Sequence, residues 1–556
     1  MKQKIKYIKL RFFLLFTSVG LILIILIFRI TYLQIINTKD LTKQGNMRSI
    51  RTLVINNLRG MIYDRNGKKL AISIPVYAIC ADPKKIIFNN MEIKEKKWKE
   101  LSEIINIPVS SIKKKIQINS KNRFIYLARQ IHYSNIEYIL KLKINGIFLK
   151  KETKRYYPLG KITAHLIGIT DIDGNGIEGI EKSFDQKLSG KPGKKIIRTN
   201  KQGHIIENLF IQNDKKPDDL TLSIDSKIQS LTYYELENAV KKNKAESGTA
   251  IVVDIKTGEI LAMVNSPSYN PNNFIHTANQ IIRNRAITDL FEPGSTIKPI
   301  VMIGALYNGM IKDNSIIDTN PYFINKYKIK DVKLYHSLSV TEILKKSSNV
   351  GISKIALKLS DKELIDTYSQ FGLGKSTNLG LIGEQNGILP KNKKLSKIQK
   401  ATFSFGYGFM VTPLQLIKAY TIIGNLGIYI PLSILKVEHP IIEKKIYSES
   451  IIRTIIKMLE SVSLPGGAGV KASIQGYRIA IKTGTVKIVN KQGKYINEYV
   501  AYTVGIAPAS NPKYALIVLI NKPKTGKYYG GIVSAPIFKN IMKSILHLMQ
   551  IKPDQK

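Results

Sequence analysis

A single cysteine, Cys80, stands in 556 residues, so no intrachain disulfide can staple this fold. Histidine is scarce too. The seven residues lie at 132, 165, 204, 276, 336, 439 and 547, with no pair at metal-ligand spacing. That spacing speaks against a structural zinc site, and neither a metal nor a cofactor is expected. No Gly-x-Ser-x-Gly nucleophile elbow is present. Acidic residues are few, 40 against 86 Lys and Arg, giving a formal net charge of +46. Such a balance raises nucleic acid as a partner. However, the lysines run along the whole chain, Ile and Asn are also heavily used, and no basic segment is interleaved with aromatics. The charge reads as a solvated, composition-biased surface and not as a nucleic-acid site. Hydrophobic residues make up 44%, which excludes a disordered tail or a polytopic membrane protein.

Long apolar runs are absent with one exception. Phe12 to Phe28 is seventeen residues without a charge, fourteen of them Leu, Ile, Val or Phe. The insertion free energy sums to something on the order of −4 to −8 kcal/mol. Lys2, Lys4, Lys6, Lys9 and Arg11 precede it with no acidic residue, which predicts a cytoplasmic N-terminus. Arg29-Ile30-Thr31-Tyr32-Leu33-Gln34 follows and offers no small-x-small cleavage site, so an uncleaved single-pass anchor is expected instead of a signal peptide.

Residues 30 to 57 read as a helical stalk and connector. Asn66-Gly67 predicts a hairpin turn inside Arg59 to Lys68. Residues 90 to 150 show helical periodicity through Ile104, Ile105, Ile112 and Ile116, and Asp171 to Gly179 is loop-like. Lys215-Lys216-Pro217-Asp218-Asp219 is the best candidate boundary. Beyond it a helix is predicted over 226 to 242, then strands at Thr249–Val253 and Ile260–Val264, with Lys256-Thr257-Gly258 as the turn between them. Helices fill the middle, and strands return at Arg478–Ile481 and Tyr514–Ile520. One antiparallel sheet assembled from both ends of a domain, packed with helices, is the expectation: an α+β fold.

Three short patterns carry chemistry. Ser295-Thr296-Ile297-Lys298 puts a hydroxyl and an amine at i and i+3, one face of a helix, where a neutral Lys298 would activate Ser295 as nucleophile. Ser110–Lys113, Ser433–Lys436 and Ser510–Lys513 match the same pattern. Only Ser295 follows a breaker, Glu292-Pro293-Gly294, that would set it at a helix N-terminus. Ser347-Ser348-Asn349 offers a hydroxyl and a carboxamide, although such a tripeptide also reads as a plain helix cap. Lys482-Thr483-Gly484-Thr485 extends an apolar strand into polar residues, with Gly484 letting another backbone come close. Its copies at 256 and 524 read as a turn and a loop.

In the order Ser-x-x-Lys, Ser-x-Asn, Lys-Thr-Gly, the set resembles the penicillin-binding proteins and serine β-lactamases. Its spacing is similar to that of class B penicillin-binding proteins of the cell-division type. Further matching segments are Arg59-Gly60 to Gly67, Thr163 to Gly168, Gly176 to Asp185, Gly505-Ile506-Ala507-Pro508 and Tyr528-Tyr529-Gly530-Gly531. Two departures stand out: Val486 replaces a frequent Ala and would narrow the groove, and the chain ends soon after its last predicted helix, against a processed C-terminal tail.

The resemblance implies a layout: cytoplasmic tail 1–11, transmembrane anchor 12–28, stalk 29–57, non-catalytic dimerisation or pedestal domain 58–219, transpeptidase domain 220–548 and tail 549–556. It implies a peptidoglycan D,D-transpeptidase of the cytoplasmic (inner) membrane that cross-links stem peptides in septum synthesis. Ser295 would attack the penultimate D-Ala carbonyl of a donor, and an acceptor amine would resolve the acyl-enzyme. Lys298 would be the base, its pKa lowered by about 3 units, roughly 4 kcal/mol. Ser347 would relay a proton and Asn349 would hold the substrate amide. Lys482, Thr483 and Thr485 would bind the terminal carboxylate, with Gly484 between them, and the Ser295 and Thr485 backbone N–H groups would form the oxyanion hole. β-Lactams would be covalent inhibitors, and a membrane glycosyltransferase and other division proteins would be partners. The alternatives are an elongation-type class B transpeptidase, a D,D-carboxypeptidase or β-lactam hydrolase of the same fold, and a non-catalytic division scaffold.

Overall fold

The computed structural model describes residues 2–55, 58–88, 95–191, 193–200, 204–212, 216–390, 394–439, 444–490 and 492–555. Lys215 of the predicted boundary lies outside the described residues. Two compact units emerge, and they do not follow chain order: Met1–Leu58 with Ser189–Pro217, and Arg59–Leu188 with Asp218–Lys556.

The first unit begins with a helix, Lys2–Thr31, continued by a π-turn, Tyr32–Ile36, and a second helix, Thr38–Ser49. The apolar segment from Lys4 to Ile36 is unburied and is the one stretch among the described residues long and apolar enough to cross a membrane. A three-stranded antiparallel sheet follows, in the order Ile50–Ile55, Gly193–Thr199, Ile205–Gln212.

The second unit holds the sheet predicted from both ends of the chain. Strands β1 (Ser247–Asp254), β2 (Ile260–Ser266), β3 (Ala480–Val489), β4 (Tyr495–Ala507) and β5 (Tyr514–Asn521) run antiparallel in the order β2-β1-β5-β4-β3. β1 is apolar from Ala250 to Val253 and β5 from Ala515 to Ile520, because both faces are covered there. Ala250 and Val252 of β1, with Leu516, Val518 and Ile520 of β5, join a core with Leu236 of α1 (Ser226–Lys242) and Phe538 of the C-terminal helix Ala535–Leu548. The alternate residues Ile251, Val253, Ile517 and Leu519 join the other core, with Ile300 and Ile417. The two-residue period of a strand thus deals its side chains to two helical layers. α1 starts at Ser226 because Asp225 accepts from the backbone N–H groups of Lys227 and Ile228.

The predicted hairpin at Asn66-Gly67 is present. Asp64 accepts from the Asn66 and Lys68 N–H groups at 2.9 and 2.7 Å, and Gly67 takes φ +81°. Its first strand, Ile62–Tyr63, pairs antiparallel with Lys69–Ala81 and parallel with Leu220–Thr221. The helical reading of 90 to 150 needs correction. Helices Glu95–Ile105 and Val109–Ile118 are there, with Ile105, Ile112 and Ile116 buried. Strands Ile125–Ile131 and Ile147–Tyr156 are also there, pairing with Lys69–Ala81. Ile147–Tyr156 is rich in Lys and half exposed, so its alternation is weak in sequence.

Two of the matching segments meet in a buried charge cluster. Glu181, fully buried, accepts from Arg59 Nε and Arg155 Nε, both at 2.6 Å. Arg59 Nη1 also reaches Asp185 at 2.7 Å, and Arg59 Nη2 donates to the Glu181 carbonyl at 2.7 Å. Removing one partner of such a cluster strands the other charges without water. Glu181→Ala is expected to lower unfolding free energy by about 3–5 kcal/mol, measured by denaturant unfolding of the full chain. A loss below about 1 kcal/mol, the size of a surface pair, would show that the cluster is not desolvated.

Candidate active site

Ser295 sits in a 3₁₀ turn, Gly294–Ile297, that feeds α2 (Lys298–Tyr307). The predicted helix N-terminus is therefore one turn early. Pro299 lacks the N–H that would bond the Ser295 carbonyl in an α-helix, and the Lys298 N–H bonds it instead. The turn is clamped from several sides. Gly294 has φ +46°, and a Cβ there would lie 2.6 Å from both Tyr502 Oη and Val486 Cγ1. Tyr502 Oη donates to the Glu292 carbonyl at 3.1 Å, and Tyr420 Oη to the Thr296 carbonyl at 2.9 Å.

Lys298 is fully buried. Its Nζ donates to the Ser347 carbonyl at 2.6 Å, Asn349 Oδ1 at 2.7 Å and Ser347 Oγ at 3.3 Å. Lys482, on β3, is also fully buried, and its Nζ donates to Ser347 Oγ at 2.9 Å and to the Thr483 carbonyl at 3.2 Å. Ser347 Oγ thus lies between two amines. Burial, and secondarily the Lys482 charge, push Lys298 well below its usual value, while Asp331 pulls the other way. Burial pushes Lys482 down to about 7. Among the described hydrogen bonds none joins Ser295 Oγ to Lys298; catalytic bonds of this kind commonly close only around substrate.

Ser347 is held at φ +62°, a left-handed conformation that ends helix Val340–Lys346. The helix-cap reading applies to its neighbour: Ser348 Oγ accepts from the Gly351 N–H at 2.9 Å and caps the helix Asn349–Lys358. Asp331 completes the turn. It accepts from Ser348 Oγ at 2.5 Å, from the Val350 N–H at 3.0 Å and from the Asn349 N–H. A carboxylate at a helix N-terminus is favourable, and here it aims Ser347 and Asn349. Nothing in Lys330-Asp331-Val332-Lys333 signals this role in sequence.

Ser295, Ser347, Asn349, Thr483 and Thr485 line one cavity of about 620 Å³, with Tyr407 and Tyr529 on its walls. Gly484 does give room, but to a ring and not to a backbone. It pairs with Tyr502 across β3 and β4, and a Cβ would lie 2.3 Å from the Tyr502 ring. Val486 does not narrow the groove: it is buried in the core and is not among the cavity's lining residues. The other Ser-x-x-Lys matches lie elsewhere. Ser110 is on helix Val109–Ile118, Ser433 bonds the Leu435 carbonyl, and Ser510 bonds Asp554.

The penicillin-binding protein transpeptidase domain matches residues 248–543, and the penicillin-binding protein dimerisation domain matches 54–222. The chain is 53% identical to peptidoglycan D,D-transpeptidase FtsI of Escherichia coli K12, covering 100% of this chain and 94% of that protein. It is 56% identical to the protein of the same name from Buchnera aphidicola subsp. Schizaphis graminum (99% and 97% covered). It is 39% identical to the probable peptidoglycan D,D-transpeptidase PenA of Neisseria gonorrhoeae (95% and 91% covered). A crystal structure of a peptidoglycan synthetase from Bifidobacterium adolescentis shares the fold, with TM-score 0.72 at 24% identity over 91% of this chain and 98% of that one. The chain belongs to the penicillin-binding transpeptidase family.

Asp331→Ala is expected to remove the cap and let Ser347 relax from its left-handed conformation. Stability should fall by about 1–2 kcal/mol, the size of a lost cap. Acylation by a labelled penicillin should slow by about tenfold or more, because misplacing a catalytic group by about 1 Å can cost that much or more. Stopped-flow acylation and thermal unfolding on the same variant separate the two effects.

Proposed function

We propose that this chain is a peptidoglycan D,D-transpeptidase of septum synthesis that works through a Ser295 acyl-enzyme and is the target of β-lactams. The observation that carries the reading is Ser347 Oγ set between two buried amines beside the Ser295 cavity. Neutral Lys298 takes the Ser295 proton as Oγ attacks the penultimate D-Ala carbonyl. Ser347, bonded to both amines, passes that proton to the leaving D-Ala nitrogen. The acceptor amine then attacks the ester carbon, the C–Oγ bond breaks and the proton returns to Ser295. Charged Lys482, with Thr483 and Thr485, holds the donor's terminal carboxylate; Asn349 positions the substrate amide. The Ser295 and Thr485 N–H groups take the oxyanion.

The apolar N-terminal helix supports a single-pass anchor, and the basic residues before it support a cytoplasmic N-terminus with the catalytic unit outside the membrane. The family and the full-length similarity to FtsI support work alongside a membrane glycosyltransferase and other division proteins.

Ser295→Ala is expected to abolish covalent penicillin labelling while thermal unfolding is unchanged; label surviving on the variant would overturn the assignment. The pH profile has a defined sign. Lys298 must be neutral, so acylation efficiency rises as pH climbs through its lowered pKa. Lys482 must be charged, so efficiency falls as pH climbs through about 7 in the free protein. Bound carboxylate favours the charged amine, so the descending limb should move to higher pH at saturating substrate. Lys482→Arg, charged at every accessible pH, should lose that limb.

A further inference from the structure

A second cavity, of about 600 Å³, adjoins the catalytic one. Lys471 and Ile532 line both, so the two share a wall. Ile532 lies on the turn Gly530–Val533, which is fastened to the catalytic strand: the Gly530 N–H donates to Thr485 Oγ1 at 2.8 Å. A Cβ on Gly530 would lie 2.3 Å from the Gly484 carbonyl oxygen, and one on Gly531 would lie 2.1 Å from that of Ala468. The wall therefore has a fixed position relative to Thr485.

The second cavity has an apolar wall, which includes Ile532, Val533 and Ile537, and a basic polar one. Lys242, Lys471 and Lys527 line it, together with Asn238, Asn243 and Asn540. Its one acidic lining residue, Glu235, is hydrogen-bonded by Asn540 Nδ2 at 3.3 Å. No ion pair of Lys242, Lys471 or Lys527 occurs among the described residues, whereas the adjacent Lys241 pairs with Glu237 and Lys522 with Glu246 and Glu498. Uncompensated ammonium groups interleaved with carboxamides suit an amide-rich chain that bears free carboxylates.

We propose that this cavity is the acceptor subsite: it takes the second stem peptide, with the free carboxylates flanking the attacking amine held by Lys242, Lys471 and Lys527. The inference rests on the transpeptidase reading, in which the donor's own carboxylate is held by Lys482, leaving the cations beyond the shared wall for the other substrate. The acceptor nitrogen forms the new amide bond to the acyl carbon as the C–Oγ bond breaks, and its proton goes to Ser295 Oγ.

The test uses the full chain in detergent, with a D-alanyl thioester peptide as donor and a diamino-acid peptide acceptor in two forms, free carboxylate and amidated. Lys242→Gln/Lys527→Gln changes two exposed side chains. It is expected to leave thiol release and penicillin acylation within about twofold. Transfer to the free-carboxylate acceptor should fall by about tenfold, the size of losing two exposed charge contacts. Transfer to the amidated acceptor should be slow in both proteins and equal. Unchanged transfer would overturn the subsite, and so would acylation falling as far as transfer, which would assign the groove to the donor. Absence of acylation in the unaltered chain would instead remove the transpeptidase reading itself, and the subsite with it.

Discussion

Two primary amines buried against one hydroxyl are the constraint on which the rest of this structure depends. Neither Lys298 nor Lys482 forms an ion pair among the described residues, and both are fully buried. Two full positive charges there would repel one another in a medium that screens poorly. The arrangement is tolerable only if a proton is missing, and a missing proton is what a general base requires. Much of the surrounding fold keeps the amines dry and close: β3 brings one, α2 the other, and the left-handed Ser347 sets the hydroxyl between them.

Holding that geometry takes residues remote in sequence. Asp331 fixes the Ser347–Asn349 turn from outside the motif. Tyr502 reaches from β4 beneath Gly484 and bonds the chain just before the nucleophile, so one ring ties the third motif to the first. The glycines at 294 and 484 are spaces that this ring needs. Substitution at either would be felt at Ser295 although neither carries any chemistry.

Some of this was legible beforehand. The α1 helix, the β1–β2 hairpin and β5 follow from periodicity and turn residues, because their apolar runs are strong and their breaks are sharp. The three motifs were individually weak and became readable only by order and spacing. β4 was not legible, though it is the sheet's longest strand: Tyr495–Ala507 starts half exposed and ends buried on both faces, so neither alternation nor a continuous apolar run marks it. Asp331 and Tyr502 were invisible as participants, and Glu181 stood out only as part of the matching segment Gly176 to Asp185. A lone acidic or aromatic residue acquires meaning only from what folds against it, and the Glu181 cluster joins segments 122 residues apart.

The sheet's connectivity also bears on how the polypeptide is made. β1 pairs with β5, and Ser247 and Asn521, hydrogen-bonded across that pair, are 274 residues apart. As the chain leaves the ribosome, the β1–β2 hairpin is complete long before its neighbour exists, and the outer edge of β1 stays open until β5 is made. Such an edge is a template for the wrong partner until the last strands arrive. Pairing β1 with β5 closes a long loop, and non-local strand pairing of this kind slows folding.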